Sequence, residues 1–266
     1  VTCLIVGVVN CTPDSFSDGG KWKTPEDAVA AGVRMMEEGA SWIDVGGEST
    51  RPGSTPVSEA DEKDRVLPVI QGLRQRLSPS IRISIDTYKA GTARAAVKAG
   101  ASVINDISGG RLDPELLKVA GRTGAGVVLG HLRGAPATMM DGVSFGDVVE
   151  EVGAELAERL AAARAAGCRE TWVDPGIGFG KRLEHNVALL KSLRALRTRL
   201  DVPIMVGVSR KAFLGQITGK PARERTFGTA AAVTVAVLGG AAAVRVHDVA
   251  AMRDVVKVAL ALGGDE

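Results

Sequence analysis

Aromatic side chains are scarce in this sequence, 3% of 266 residues. Base stacking on aromatic platforms is thereby excluded as its main activity. Cysteines are few and odd in number, Cys3, Cys11 and Cys168, and they lack metal-ligand spacing. They fit a reduced cytosol rather than a disulfide framework, and Cys11 reads as a small filler rather than a nucleophile. No apolar run reaches about 18 residues, so no spanning helix is expected, and no signal-peptide pattern is visible. A cytoplasmic protein without a membrane partner is the expectation. Charge of one sign is missing too: the formal net charge is +2 and the basic residues are scattered, which gives no reason to expect nucleic acid.

What the chain does have is a repeated alternation. Short apolar runs stand at 3–10, 42–47, 81–86, 102–106, 126–131, 171–176, 204–209 and 243–248. Most are continuous rather than alternating, as expected for strands buried on both faces of a parallel sheet. Helical patterns lie between them. Thr24-Pro25-Glu26-Asp27 offers a hydroxyl N-cap, a first-turn proline and acids, and Asp113-Pro114-Glu115 repeats the device. Residues 144–166, 184–200, 222–239 and 248–262 read as helices. So does 58–77, where Pro68 predicts a kink or a split. Eight strands each followed by a helix in about 250 residues is the arithmetic of a (β/α)8 TIM barrel. The expectation is a single α/β domain over 1–266 with a parallel eight-stranded core. A doubly wound open sheet is the alternative, but its Gly-rich turn after the first strand is missing from "VVNCTPD".

In such barrels the active site lies at the C-terminal strand ends. Those ends carry Asn10, Gly46-Gly47-Glu48, Asp86, Asn105-Asp106, His131, Asp174, Ser209-Arg210-Lys211, Arg245 and His247. A polar group at nearly every end predicts one shared pocket. Asp86, Asn105 and Asp174 offer acceptors and an amide, a set that suits a flat heterocycle rimmed with N–H and C=O groups. Lys211 is placed to donate to a ring carbonyl or nitrogen. Arg245 and His247, two residues apart after the last strand, suit a phosphate. The first strand should neighbour the eighth, so Asn10 is expected beside Arg245, sharing the phosphate or a Mg2+ ion. The segments 10–20 and 46–55 are long and rich in Gly, Ser, Thr and Pro, as lids and binding loops are. A third such loop is 132–142.

The motifs "NCTPDSFSDGG", "DVGGESTRPG", "ISIDTYKA", "INDISGG", "DPGIGFGK", "GVSRKAFLG" and "VRVHDV" run in order from Asn10 to Val249, within a likeness that covers residues 5 to 262. Together they resemble the dihydropteroate synthase family. The resemblance implies an alkyl/aryl transferase of folate synthesis that joins 6-hydroxymethyl-7,8-dihydropterin diphosphate to p-aminobenzoate and releases diphosphate. It implies a pterin pocket of Asp86, Asn105, Asp174 and Lys211, with Phe179 at its edge. It assigns Asn10, Arg245 and His247 to diphosphate and Mg2+. Phe179, Lys211 and Ala212 then flank p-aminobenzoate, and Phe16, Asp18, Thr50, Arg51 and Pro52 belong to loops closing over it. A homodimer is implied as well, for which 229–244 and 255–262 offer apolar helical surface. Two departures stand out. Ala212 replaces a frequent Ser, and Gly130 precedes His131 where Met is common, which predicts extra space at the pocket floor. The competing readings are a methyltransferase on the same pterin-binding barrel, which needs no diphosphate site, and a non-catalytic pterin binder, which would have eroded motifs.

Overall fold

The computed structural model describes residues 2–12, 24–50 and 53–263. All eight strands form: β1 Leu4–Asn10, β2 Trp42–Gly46, β3 Arg82–Asp86, β4 Val103–Asp106, β5 Gly126–Gly130, β6 Thr171–Asp174, β7 Met205–Gly207 and β8 Ala243–Val246. They pair in parallel in the order β6-β5-β4-β3-β2-β1-β8-β7. A bridge between Val173 and Ile204 links the two outer strands, so the sheet nearly closes into a barrel. Ten α-helices surround it among the described residues. They are α1 Pro25–Glu37, α2 Glu59–Arg76, α3 Ala90–Ala99, α4 Glu115–Thr123, α5 Val148–Ala165, α6 Leu183–Lys191, α7 Leu193–Leu200, α8 Ala212–Thr218, α9 Thr226–Leu238 and α10 Val249–Leu262.

Side-chain alternation along each strand divides the barrel into two cores. The odd residues of β3, Ile83 and Ile85, join Ile43, Val45, Ile104, Val127, Leu129 and Val173 in the layer against the helices. Each such burial contributes about 1.5–3 kcal/mol. The other parity points into the barrel. Its lower level is apolar, a cluster of Val6, Trp42, Val103, Val128, Trp172, Met205 and Ala243, with Trp42 edge-on to Trp172 at 5.5 Å between ring centroids. Arg82 caps this level, its guanidinium 5.7 Å from the Trp42 ring centroid and paired with Glu170. The upper level of the same parity is polar: Asp44, Ser84, Asp86, Asn105, Asp174 and Arg245. The inward face was therefore not apolar throughout, as the continuous runs suggested.

Local signals explain most helix ends. Thr24 accepts from Asp27 N–H and the Asp27 carboxylate accepts from Thr24 N–H, a full capping box. Asp113 Oδ1 accepts from Glu115 N–H at the start of α4 while its Oδ2 accepts from Ala90 N–H at the start of α3, tying two helices together. Two expectations are corrected. Pro68 does not split α2, which runs uninterrupted and is anchored by buried Val66, Val69, Ile70 and Leu73. The stretch 184–200 is two helices rather than one, broken at Ser192, whose N–H is shared between the carbonyls of Ala188 and Leu189.

Candidate active site

The polar upper level is organised by Asp44, fully buried in β2. Its Oδ2 accepts from Arg245 Nε at 2.6 Å and from Asn105 Nδ2 at 3.1 Å, and its Oδ1 accepts from Ser84 Oγ. The Arg245 guanidinium reaches on to Asp86, with Nη2 2.6 Å from Asp86 Oδ2. β8, β2, β3 and β4 are thus joined through one hydrogen-bonded network. Asp86 faces Arg245 here, so the carboxylate at the end of this apolar strand is buried with a cationic partner rather than alone.

Three carboxylates, Asp44, Asp86 and Asp174, share the interior with the cations Arg245 and Lys211. Burial raises the Asp86 carboxyl, and Arg245 and Lys211 oppose the rise. Burial raises Asp174 too, while the Gly176 N–H, 2.7 Å from its Oδ1, and Lys211 pull it back. Lys211 is pushed down to about 8 by burial, with Asp174 resisting. Its ammonium lies 3.8 Å from the centroid of the Phe179 ring, a cation–π contact. Burial lowers the guanidinium of Arg245 less than Asp44 and Asp86 raise it, so it stays a fixed positive charge.

The loop holding Lys211 is built from its backbone. Arg210 adopts a left-handed φ of 59°, its N–H donates to Thr229 Oγ1 at 3.1 Å, and its side chain pairs with Asp248. Arg225 donates to the carbonyls of Arg210, Lys211 and Lys220 at 3.0, 3.1 and 2.8 Å. Ala212 opens α8, so its N–H is one of the helix-start donors without an intrahelical partner.

The other expected residues fall as follows. His247 stands just beyond β8, its Nδ1 2.9 Å from Ser209 Oγ. Arg245 lies inside β8 rather than after it and pairs in register with Val6 and Gly207. Asn10 is four residues beyond Val6 and sits opposite Gly46, so the two are not neighbours in register although β1 does adjoin β8. Thr50 is half-buried. Phe16, Asp18, Arg51 and Pro52 lie outside the described residues.

Several strand-end groups are structural. Asp106 accepts from Ser108 N–H, Ser108 Oγ and Gly110 N–H, closing its own turn. Glu48 pairs with Lys89, which also holds buried Glu62, and accepts from the Tyr88 hydroxyl. Cys11 is buried and its thiol is pushed up to about 12 by burial, which makes it inert as a nucleophile at neutral pH. Leu132 and Met139 of the third loop pack in a small cluster with Ile107, against which Tyr88 and Phe179 lie.

Glycines shape the mouth of the barrel. Gly46 and Gly207 take inward positions of β2 and β7. A Cβ on Gly207 would meet nothing nearer than Asp174 Oδ2 at 3.8 Å and Arg245 Cβ at 4.0 Å. The bare backbone of Gly207 therefore borders both an acidic and a basic group, where a methyl would fit only at ordinary contact distance. Gly130 creates no such space: a Cβ there would fall 2.6 Å from Ile107 Cα, so the room expected from this departure is filled by main chain.

A slot walled by carboxylates and an amide, with an ammonium and a guanidinium at its edge, can bind a polar, planar, electron-rich ring and an anion attached to it. Among the described residues no group of three His, Cys, Asp or Glu could hold a metal ion. Asn10 supplies one amide oxygen, which fits a hard cation only where most of its other ligands are water and phosphate oxygens, the usual state of Mg2+.

The sequence profile of the family described as Pterin binding enzyme matches residues 6–247. The dihydropteroate synthase of Synechocystis sp. is 46% identical over 97% of this chain and 89% of its own length. The structure of Xanthomonas albilineans dihydropteroate synthase with 4-aminobenzoic acid superposes with a TM-score of 0.91 at 44% identity, covering 100% of this chain and 94% of that one. The same enzyme in complex with 7,8-dihydropteroate superposes at 0.88 and 41% identity, covering 100% and 95%.

Proposed function

This chain belongs to the dihydropteroate synthase family of pterin binding enzymes, and on that premise we propose that it makes 7,8-dihydropteroate. The substrates are 6-hydroxymethyl-7,8-dihydropterin diphosphate and p-aminobenzoate, and the setting is folate synthesis. The observation that carries the reading is the convergence of Asp86, Asn105, Asp174, Lys211 and Arg245, drawn from strands far apart in sequence, on one slot at the C-terminal end of the barrel. A methyltransferase would use the carboxylates and the amide but has no need of the basic edge. A non-catalytic binder has no need of Lys211 held by an arginine clamp.

The pterin ring lies between Asp174, Asn105 and Asp86, with Lys211 donating to its rim. The bond between the methylene carbon and the diphosphate oxygen breaks first, and its electron pair leaves with diphosphate. The positive charge spreads into the electron-rich dihydropterin ring. Asp86 stabilises that cation. Arg245, held by Asp44 through Nε and by Asp86 through Nη2, presents its fixed charge to the departing anion beside His247. Fixed charges aimed at both developing charges need no reorganisation as the bond breaks. The arylamine nitrogen attacks the methylene to form the C–N bond, and its proton passes to water. An aryl amine is already nucleophilic at neutral pH, so no strong general base is required. Bound with diphosphate, Mg2+ would supply Lewis-acid charge neutralisation to the leaving group, held by the Asn10 amide oxygen. Phe179 and Lys211, with the Ala212 N–H, flank the p-aminobenzoate, and Phe16, Asp18, Thr50, Arg51 and Pro52 are its closing loops.

The working form is a homodimer. Val235, Leu238, Val258 and Leu262 of α9 and α10 remain 42–77% exposed while the opposite faces of both helices pack on the barrel. The compartment is the cytoplasm, a reducing setting that the three free, buried thiols fit.

Isothermal titration tests the reading. p-Aminobenzoate should bind only after pterin and diphosphate are present, because Phe179 and Lys211 offer half a site until the pterin completes it. A protein that binds pterin but never p-aminobenzoate would point to the methyltransferase or to the non-catalytic binder.

A further inference from the structure

Lys181 has no part in the chemistry above, yet it is only 4% exposed. Its ammonium has three acceptors: His131 Nδ1 at 2.9 Å, Phe179 O at 3.0 Å and His131 O at 3.3 Å. These match the three N–H bonds of an ammonium, which can only donate; burial pushes Lys181 down to about 7, with Asp174 and Glu155 resisting, and the tautomer that follows is that of the charged lysine. His131 Nδ1 must then be unprotonated, so its proton lies on Nε2, facing Glu155 Oε2 at 3.2 Å. The tautomer follows from this network of donors. Glu155 on α5 is held in turn by Arg133 Nε at 2.9 Å and by Arg111 at 3.1 Å. Burial lowers His131 to about 4, which keeps the imidazole neutral and able to accept.

This chain of bonds ends at the site. The loop after β6 lies so close on the end of β5 that a Cβ at Gly176 would fall 2.0 Å from His131 O, and Gly176 has a left-handed φ of 71°. Lys181 fastens that loop by the Phe179 carbonyl. Phe179 is the residue whose ring covers the Lys211 ammonium at 3.8 Å. We propose that Glu155, His131 and Lys181 form a positioning relay: the glutamate fixes the histidine tautomer, the histidine receives the lysine, and the lysine sets the Phe179 ring against Lys211 to form the edge that takes the aromatic amine. The kinetic part of this inference rests on the function proposed above. Lys181 is a positioning residue, not a catalytic one, since among the described residues its side chain donates to Phe179 and His131.

Two measurements test it. The first is steady-state kinetics, with calorimetric pterin binding, on wild type, Lys181→Met and Glu155→Leu. Lys181→Met should raise KM for p-aminobenzoate about tenfold, the cost of two buried carbonyls left without a donor, while pterin affinity stays within about threefold. Glu155→Leu frees the tautomer and should move the same KM in the same direction, so it decides the matter if Lys181→Met does not fold. A folded variant with unchanged KM overturns the relay, as does equal loss of pterin and p-aminobenzoate affinity, the mark of a merely structural role. The second is the crystal structure of whichever variant folds, in which the Phe179 ring should leave Lys211. A ring that stays overturns the relay even if wild type makes no dihydropteroate, an outcome that would overturn the functional reading separately.

Discussion

Asp44 accepts from Arg245, Asn105 and Ser84 at once, so the guanidinium most useful to a departing anion is aimed by a carboxylate that never meets solvent. The space it borders is defined by a residue with no side chain. Gly207→Val should leave the fold intact, because Cβ would make only ordinary contacts, but its methyls would enter the slot between Asp174 and Arg245. Pterin binding measured by calorimetry should fall at least about a hundredfold, roughly 3 kcal/mol; unchanged affinity would place the ring elsewhere. A second residue-scale prediction concerns acid. His131 is held at about 4 in the fold against about 6.5 in the unfolded chain. Between these values the unfolded chain binds a proton that the folded chain refuses, so stability falls as pH drops through the window. Glu155, held down to about 2 first by its hydrogen bond from His131 and then by Arg133, adds a further loss below about 4.5. Asp86 and Asp106, raised by burial to about 7 and about 6, contribute stability as pH falls through the same window, so the His131 contribution is read as a difference. Between about pH 7.5 and 4.5 the urea midpoint of wild type should fall relative to that of His131→Gln, with Lys181, Arg133 and Arg111 left in place; parallel curves would contradict the assignment. At this scale Asp86, Asn105 and Asp174 were legible as strand-end residues and Lys211 and His247 as residues just beyond a strand, whereas Arg245 lies inside β8. Asp44 was not, because it stands mid-strand in an apolar run. The signal existed in its parity: it shares the inward face with Trp42, and it pairs in register with Ser84, two residues before Asp86.

The element that places Lys211 is the turn between β7 and α8, and it is clamped from outside by Arg225. Its three backbone acceptors bind a charged donor, each such bond being worth about 1.5–3 kcal/mol when made. Because Arg225 is partly exposed, water replaces some of that, and Arg225→Ala should cost about 1–2 kcal/mol of stability. It should also raise KM for both substrates several-fold as Lys211 shifts. Loss of stability in urea with both KM values unchanged would show that the turn is held by other contacts. Elements were legible where the chemistry is local. The Thr24 capping box and the acids of the first turn gave the start of α1, and eight apolar runs gave eight strands. They were illegible where the barrel decides. No glycine or proline marks the break at Ser192, and Pro68, a helix breaker by itself, is carried by the packing of its neighbours. Register is equally non-local: only strand pairing reveals that Arg245 lies opposite Val6 instead of Asn10.

For the whole molecule, the nearly closed parallel sheet brings chain segments more than two hundred residues apart, Asp44 and Arg245, into one hydrogen bond. The helices outside leave a continuous choice of surface for association. If α9 and α10 supply the dimer, sedimentation at micromolar concentration should show twice the chain mass, and Val258→Glu with Leu262→Glu should return the monomer without altering pterin binding. A wild-type monomer under these conditions would contradict the dimer. In the proposed mechanism, opposed fixed charges in one slot drive diphosphate off the pterin and hand its methylene to an arylamine. The most direct test is diphosphate release from the dihydropterin diphosphate with Mg2+, with and without p-aminobenzoate, in wild type and in Asp86→Asn. That mechanism predicts release that depends on p-aminobenzoate and yields dihydropteroate. It also predicts a fall of about a hundred- to a thousandfold in folded Asp86→Asn, the usual cost of removing one such stabilising group. Near-normal turnover in Asp86→Asn, or a folded wild type that binds pterin and releases nothing, would contradict it.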